Sequence, residues 1–266
     1  MRKTLATNKM KNKRNNELAV CGLSTVKKLE KRNWKQIRRL YFTKDVAPLF
    51  GGLCKRLAEN HGIYNEVEES ELEKLSGTVH HQGVVAMIYT PEITPLSSDI
   101  TDEWATKHEV ALILDNIGNA NNFGAIVRSA AFFGIENIIL TNSEPNSLIS
   151  TSSYRIAEGG MEFVKIFSVV SLERLLKATS GQFVRIGTDL KATLPLSNIS
   201  NLCKKKAAFI IIGNEETGLS KKTLSLCDYS VIIPFMGMQE GKKPCVQSLN
   251  VAQATSIILY EISKHT

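Results

Sequence analysis

Residues 110–134 read VALILDNIGNANNFGAIVRSAAFFG. The run Val110 to Leu114 has the length and bulk of a strand buried on both faces. The loop Asp115 to Gly124 is rich in Asn and Gly, which suit tight turns and close backbone approach. Phe123 to Phe133 brings apolar residues back at helical spacing, and Gly134 closes the helix. Asn137 to Leu140 is apolar again. Strand, loop, helix and strand make a βαβ unit, so the fold class is α/β.

The same alternation continues downstream. Strands are predicted at Phe163–Phe167, Phe183–Gly187, Ala207–Ile212 and Tyr229–Ile233, and helices at Ser171–Thr179 and Lys221–Cys227. A last helix starting near Ser248 would put Val251, Ala254, Ile258 and Ile262 on one face. Strands alternating with helices imply a mainly parallel sheet covered on both faces.

Upstream, residues 93–108 read as a linker, being rich in Ser and Thr with little periodic pattern. Residues 17–92 alternate strands and helices on a smaller scale, ending in the strand Gly83 to Tyr89, and form a second compact α/β unit. Residues 1–16 read as a basic flexible tail.

The net charge is +7, but residues 1–40 hold thirteen Lys and Arg against Glu17 and Glu30. The excess positive charge therefore sits in the first 40 residues. It suits electrostatic capture of phosphate backbones, and a solubilising tail is the other reading. No apolar run has the length of a membrane span, and the N-terminus lacks the apolar core of a secretory signal. The five cysteines are scattered, with no C-x-x-C pair and no histidines clustered near them. That argues against a disulfide framework and a metal site, and places the chain in a reducing compartment, the cytoplasm.

Three loops follow predicted strands, where parallel sheets bind ligands. The first carries Asn122, with Arg128 further along its helix. Arg128 fits a phosphate or ribose contact, or a surface Arg whose stem covers apolar area. The second, Gly213-Asn214-Glu215-Glu216-Thr217-Gly218, fits ligand approach and an ordinary turn equally. The third runs from Ile233-Pro234 to Ser248-Leu249-Asn250-Val251, with Ser248 a suitable N-cap for the last helix.

Together these loops resemble the SpoU (TrmH-like) family of RNA 2′-O-methyltransferases, within the SPOUT class. The first motif matches as Asn122-Phe123-Gly124-Ala125-Ile126-Val127-Arg128-Ser129-Ala130, the second as Gly213 to Leu219, and the third as Ile233-Pro234 with Ser248 to Val251. His81-Gln82-Gly83-Val84-Val85-Ala86 is similar to the end of that family's L30-like RNA-binding domain. Tyr154 to Gly160 resembles its YfiF-like bacterial branch.

The resemblance implies a SPOUT domain over 109–266 with a deep trefoil knot, and an L30-like RNA substrate-binding domain over 17–92. It implies S-adenosylmethionine as methyl donor, tRNA or rRNA as partner and a homodimer. Thr188, Gly213, Ile233 and Leu249 would contact the cofactor. Arg128 would hold the target phosphate or assist loss of the 2′-hydroxyl proton. Asn122 and Glu215 would position it, and Ser248 and Asn250 would shape the acceptor side. One departure is the longer stretch 238–245, whose Lys242 and Lys243 either reach RNA phosphate or are simply solvated. Two other readings stay open: an RNA-binding protein that keeps the fold without catalysis, and a base-methylating SPOUT enzyme. A Rossmann oxidoreductase is disfavoured, because G-x-G-x-x-G is absent.

Overall fold

The computed structural model describes residues 16–235 and 248–264. Residues 1–15 of the expected tail lie outside these. So do Lys242, Lys243 and the path of residues 236–247, on which the expected knot depends. The chain divides into two units, residues 1–92 with 147–163 and residues 93–146 with 164–266.

In the first unit, β1 (Glu17–Cys21) leads into α1 (Leu23–Asn33) and β2 (Ile37–Phe42). Then come α2 (Gly51–Glu59), β3 (Ile63–Glu66), α3 (Glu69–Ser76) and β4 (Val84–Tyr89). The sheet order is β1-β4-β2-β3, with β4 antiparallel to both neighbours. The central place of β4 follows from its sequence, since Val84 to Ile88 are buried without interruption. One face of the sheet packs Ala19, Cys21, Val85 and Met87 against Leu72 of α3. Gly77, just past Ser76, ends α3 in the left-handed region at φ 72°.

The second unit begins with β5 (Thr94–Pro95) and α4 (Ser98–Lys107), in the stretch expected to be a linker. The Ser, Thr and Asp content there hides a helical stripe. Thr101 and Trp104 are buried, and Ile100 and Ala105 pack on the same core. The chain continues through β6 (Val110–Leu114), α5 (Ala120–Phe132) and β7 (Asn137–Leu140). Residues 147–163, with α6 (Thr151–Ala157), belong to the first unit, where α6 packs on β1.

The second unit resumes with β8 (Lys165–Ser168), α7 (Leu172–Ala178), β9 (Val184–Thr188), β10 (Leu194–Pro195) and α8 (Ile199–Cys203). It ends with β11 (Ala208–Ile212), α9 (Lys221–Ser225), β12 (Tyr229–Ile232) and α10 (Val251–Ser263). Its strands run in the order β10-β12-β9-β11-β6-β7-β8-β5, and every neighbouring pair is parallel. The two most apolar strands, β6 and β11, lie side by side, as burial on both faces requires. Phe209 of β11 stacks on Phe183 in the core, with ring centroids 4.0 Å apart. Among the described residues, no helix is long and apolar enough to cross a membrane.

Candidate active site

The parallel sheet brings the first two loops together at the carboxyl ends of its middle strands. β6 ends at Leu114 and β11 at Ile212, and these two residues pair directly. The loop after β6 passes into α5, where Asn119 caps the helix by accepting from the Asn121 N–H at 2.8 Å. Asn122 lies in the first turn of that helix. The loop after β11 doubles back at once. A Cβ on Gly213 would stand 2.4 Å from the Gly218 carbonyl carbon and 2.5 Å from the Leu219 nitrogen, so only glycine fits there.

The last helix supplies the third group. The sequence suggests Ser248 as its cap, but the structure starts α10 at Val251 and uses Asn250. Asn250 Oδ1 accepts from the N–H of Ala252 at 2.9 Å and of Gln253 at 3.4 Å. An amide caps as well as a hydroxyl and keeps its NH2 free for a second bond. That NH2 donates to Asn122 Oδ1 at 3.1 Å. Asn122 Nδ2 in turn donates to Glu215 Oε1 at 2.9 Å. Three loops that are remote in sequence thus share one line of hydrogen bonds.

The line borders a cleft of about 570 Å³, lined by Asn122, Glu215, Glu216, Ser248, Leu249 and Asn250 among others. Ser248, displaced from the capping role, is one of its walls. Leu249, 45% exposed, gives an otherwise polar lining an apolar patch. Two carboxylates line the cleft, and no Lys or Arg does among the described residues.

The other expected residues stand apart from this lining. Gly213, Thr188 and Ile233 sit at the ends of β11, β9 and β12, three adjacent strands. Thr188 Oγ1 donates to the Ile211 carbonyl at 3.2 Å, tying β9 to β11. Arg128 is exposed, six residues beyond Asn122 on α5. Sequence reasoning gave no site role to Gly118, Asn119, Asn214 or Glu216, and gave Val251 only a place on the packing face of the last helix; all of them line the cleft. The dense Asn content of the first loop was the available signal. Among the described residues, no cluster of three His, Cys, Asp or Glu side chains is placed to hold a metal ion.

Residues 109–260 match the SpoU rRNA Methylase family. Residues 19–94 match the family described as RNA 2′-O ribose methyltransferase substrate binding. The chain is 35% identical over 211 residues to the 23S rRNA (guanosine-2′-O-)-methyltransferase RlmB of Acinetobacter baylyi, covering 77% of this chain and 80% of that one. It is 29% identical over 209 residues to an uncharacterized tRNA/rRNA methyltransferase of Haemophilus influenzae, covering 77% of this chain but 58% of that relative. In fold it is similar to the crystal structure of an rRNA methyltransferase from Sinorhizobium meliloti, with a TM-score of 0.77 and 22% identity. That match covers 99% of this chain and 93% of the other.

Proposed function

The chain belongs to the SpoU rRNA methylase family, and on that premise we propose that it transfers a methyl group from S-adenosylmethionine to a ribose 2′-hydroxyl of tRNA or rRNA. The observation that carries this reading is the line Asn250–Asn122–Glu215, which gathers all three motif loops around one cleft.

The residues present fit the cofactor. The cleft volume lies in the range of sites that take ligands of this size. Leu249 offers apolar surface to a purine ring, and Glu215 and Glu216 suit a cationic sulfonium. Gly213, Thr188 and Ile233 would hold it from their strand ends. S-adenosylmethionine supplies a methyl group on a sulfonium, whose thioether leaves without an acid.

The protein's task is then placement of the ribose oxygen in line with that methyl group. Ser248 and Asn250 shape the side where the ribose enters. Arg128 holds the target phosphate and stabilises the oxygen as its proton passes to solvent. Asn122 and Glu215 order the loops beside it. Among the described residues the cleft lining carries negative charge alone, so a cation for the phosphate is sought beyond those lining residues. Arg128 on its exposed stretch of α5 is one source, and a second copy of the chain completing the site is another.

A homodimer is supported by exposed aromatic surface on α5 and α10, where Phe132 is 81% and Tyr260 51% exposed. RNA capture by the first unit is supported by its family match and by the cations Lys27, Lys28, Lys31 and Arg32 on α1. Unpaired Cys21, Cys54, Cys203 and Cys227 are consistent with the cytoplasm.

The test is transfer of labelled methyl groups to tRNA and to rRNA, with Arg128→Ala as control. Label that survives in alkali-resistant dinucleotides, and that is lost with Arg128→Ala, is expected. Label on a base overturns the ribose assignment, and full turnover by Arg128→Ala overturns the role of that residue.

A further inference from the structure

We propose that Asn214, in the loop after β11, is a positioning residue that sets the Glu215 carboxylate for methyl transfer. The proposal rests on the reading of the cleft given above.

The hydrogen-bond line starts at the last helix, α10. Its first free N–H groups take Asn250 Oδ1, so the Asn250 NH2 must point outward. That makes the Asn122 oxygen an acceptor and turns its NH2 toward Glu215. The polarity of both amides is dictated by the helix N-terminus, and Glu215 is left to accept. This holds the carboxylate from one side only.

Asn214 holds the backbone on the other side. Its Oδ1 accepts from the N–H of Glu216 at 2.9 Å and of Thr217 at 3.2 Å, and from the Thr217 hydroxyl at 3.3 Å. Its Nδ2 donates to the Asn116 carbonyl at 2.8 Å, in the first loop. Asn116 is itself fixed in the left-handed region at φ 55°. Its N–H donates to Thr141 Oγ1 at 3.1 Å, and that hydroxyl donates to Asp115 Oδ1 at 2.6 Å. The Oδ1 end of Asn214 thus orders its own loop, and the Nδ2 end ties that loop to the first. The adjacent Glu215 is clamped between an amide strut at its backbone and an amide line at its side chain. Displacement of a group that orders the site by an ångström costs far more in rate than in stability, and this strut prevents such displacement.

The test uses the full chain in the methyl-transfer assay. Asn214→Asp keeps the acceptor oxygen but turns a carboxylate oxygen toward the Asn116 carbonyl. We expect kcat to fall by about tenfold or more while KM for RNA stays within about twofold and Tm within about 2 °C. In a Glu215→Gln background, where the group being positioned has lost its charge, Asn214→Asp should add little. Asn214→Ser cannot span both loops and should reproduce the kcat loss if the Asp variant folds poorly. An unchanged kcat overturns the proposal. So does a loss that is equal in both backgrounds and tracks Tm, because that is the signature of a general structural role. A wild-type chain inactive on every RNA removes the methyltransferase reading and this proposal with it. Wild-type turnover with an unaffected Asn214→Asp removes this proposal alone.

Discussion

The two ends of the parallel sheet are built from different chemistry. Where the strands begin, polar groups are fastened in pairs. Arg185 meets Asp228 through its backbone N–H at 2.8 Å, its Nε at 3.0 Å and its Nη2 at 2.7 Å. Its Nη1 donates to the Leu176 carbonyl at 2.8 Å, and three strands away in the sheet Asn137 Nδ2 donates to Glu109 Oε2 at 2.5 Å. Where the strands end, neutral amides hold the loops in single file and a glycine lets one loop fold on itself. Bidentate ion pairs fix geometry strongly but consume their charges. Amides fix geometry while leaving carboxylate and hydroxyl oxygens facing the cleft. The fold is thus fastened at one end and made available for chemistry at the other.

Substitutions at the two ends should separate binding from stability. Gly213→Ala tests the loop end hardest, because the added carbon would strike backbone atoms that cannot rotate away. It should weaken S-adenosylmethionine binding by about a hundredfold or more in titration calorimetry and also lower the melting temperature, because the turn is forced open, whereas a change at the other end should leave binding intact. Wild-type affinity in that variant would show that the cofactor is not held at this turn.

Asp228→Asn tests the other end. It should lower stability in a denaturant melt by about 1–2 kcal/mol, a figure reduced for the partial exposure of Asp228. Turnover should be unaffected. A loss of activity without a loss of stability would break the division between the ends.

The smallest effect is in the pH dependence. The hydrogen bonds from Arg185 hold the Asp228 carboxyl below the usual carboxylate range. A carboxyl depressed in the folded state stabilises fully above its unfolded pKa of about 3.9, and this is lost as pH falls toward the lower folded value. The stability gap between wild type and Asp228→Asn should therefore be constant from pH 7 to about 5 and narrow below about 4. A gap that stays constant to pH 2.5 would show that the pair contributes through neutral contacts alone.

Much of the second unit was legible in the sequence. Val110–Leu114 is a strand with the bounds its apolar run predicts, and the Ala207 strand differs by one residue. Burial on both faces leaves so strong a mark that little else competes. The elements that escaped are those whose stripes are interrupted. α4 was hidden by polar residues between Ile100, Thr101, Trp104 and Ala105, and α6 by its run of Thr and Ser. The cap of α10 moved from Ser248 to Asn250, because both can cap and only the tertiary partner Asn122 decides between them. For the same reason Asn214 carried no signal. An asparagine in a turn is ordinary until the loop it reaches across to is known.

The pairing of β6 with β11 has a consequence for how the molecule reaches this state. The ladder joins Val110 to Ala208, almost a hundred residues apart in sequence. Such non-local contacts demand that a long loop close before any contact rewards it, which slows folding. The two loops that flank the cleft hang from this ladder, so they meet only after the slowest pairing is complete. Local helices such as α5 can form earlier, in a chain that still lacks a place for its ligand. Competence to bind should accordingly lag behind helical content during refolding.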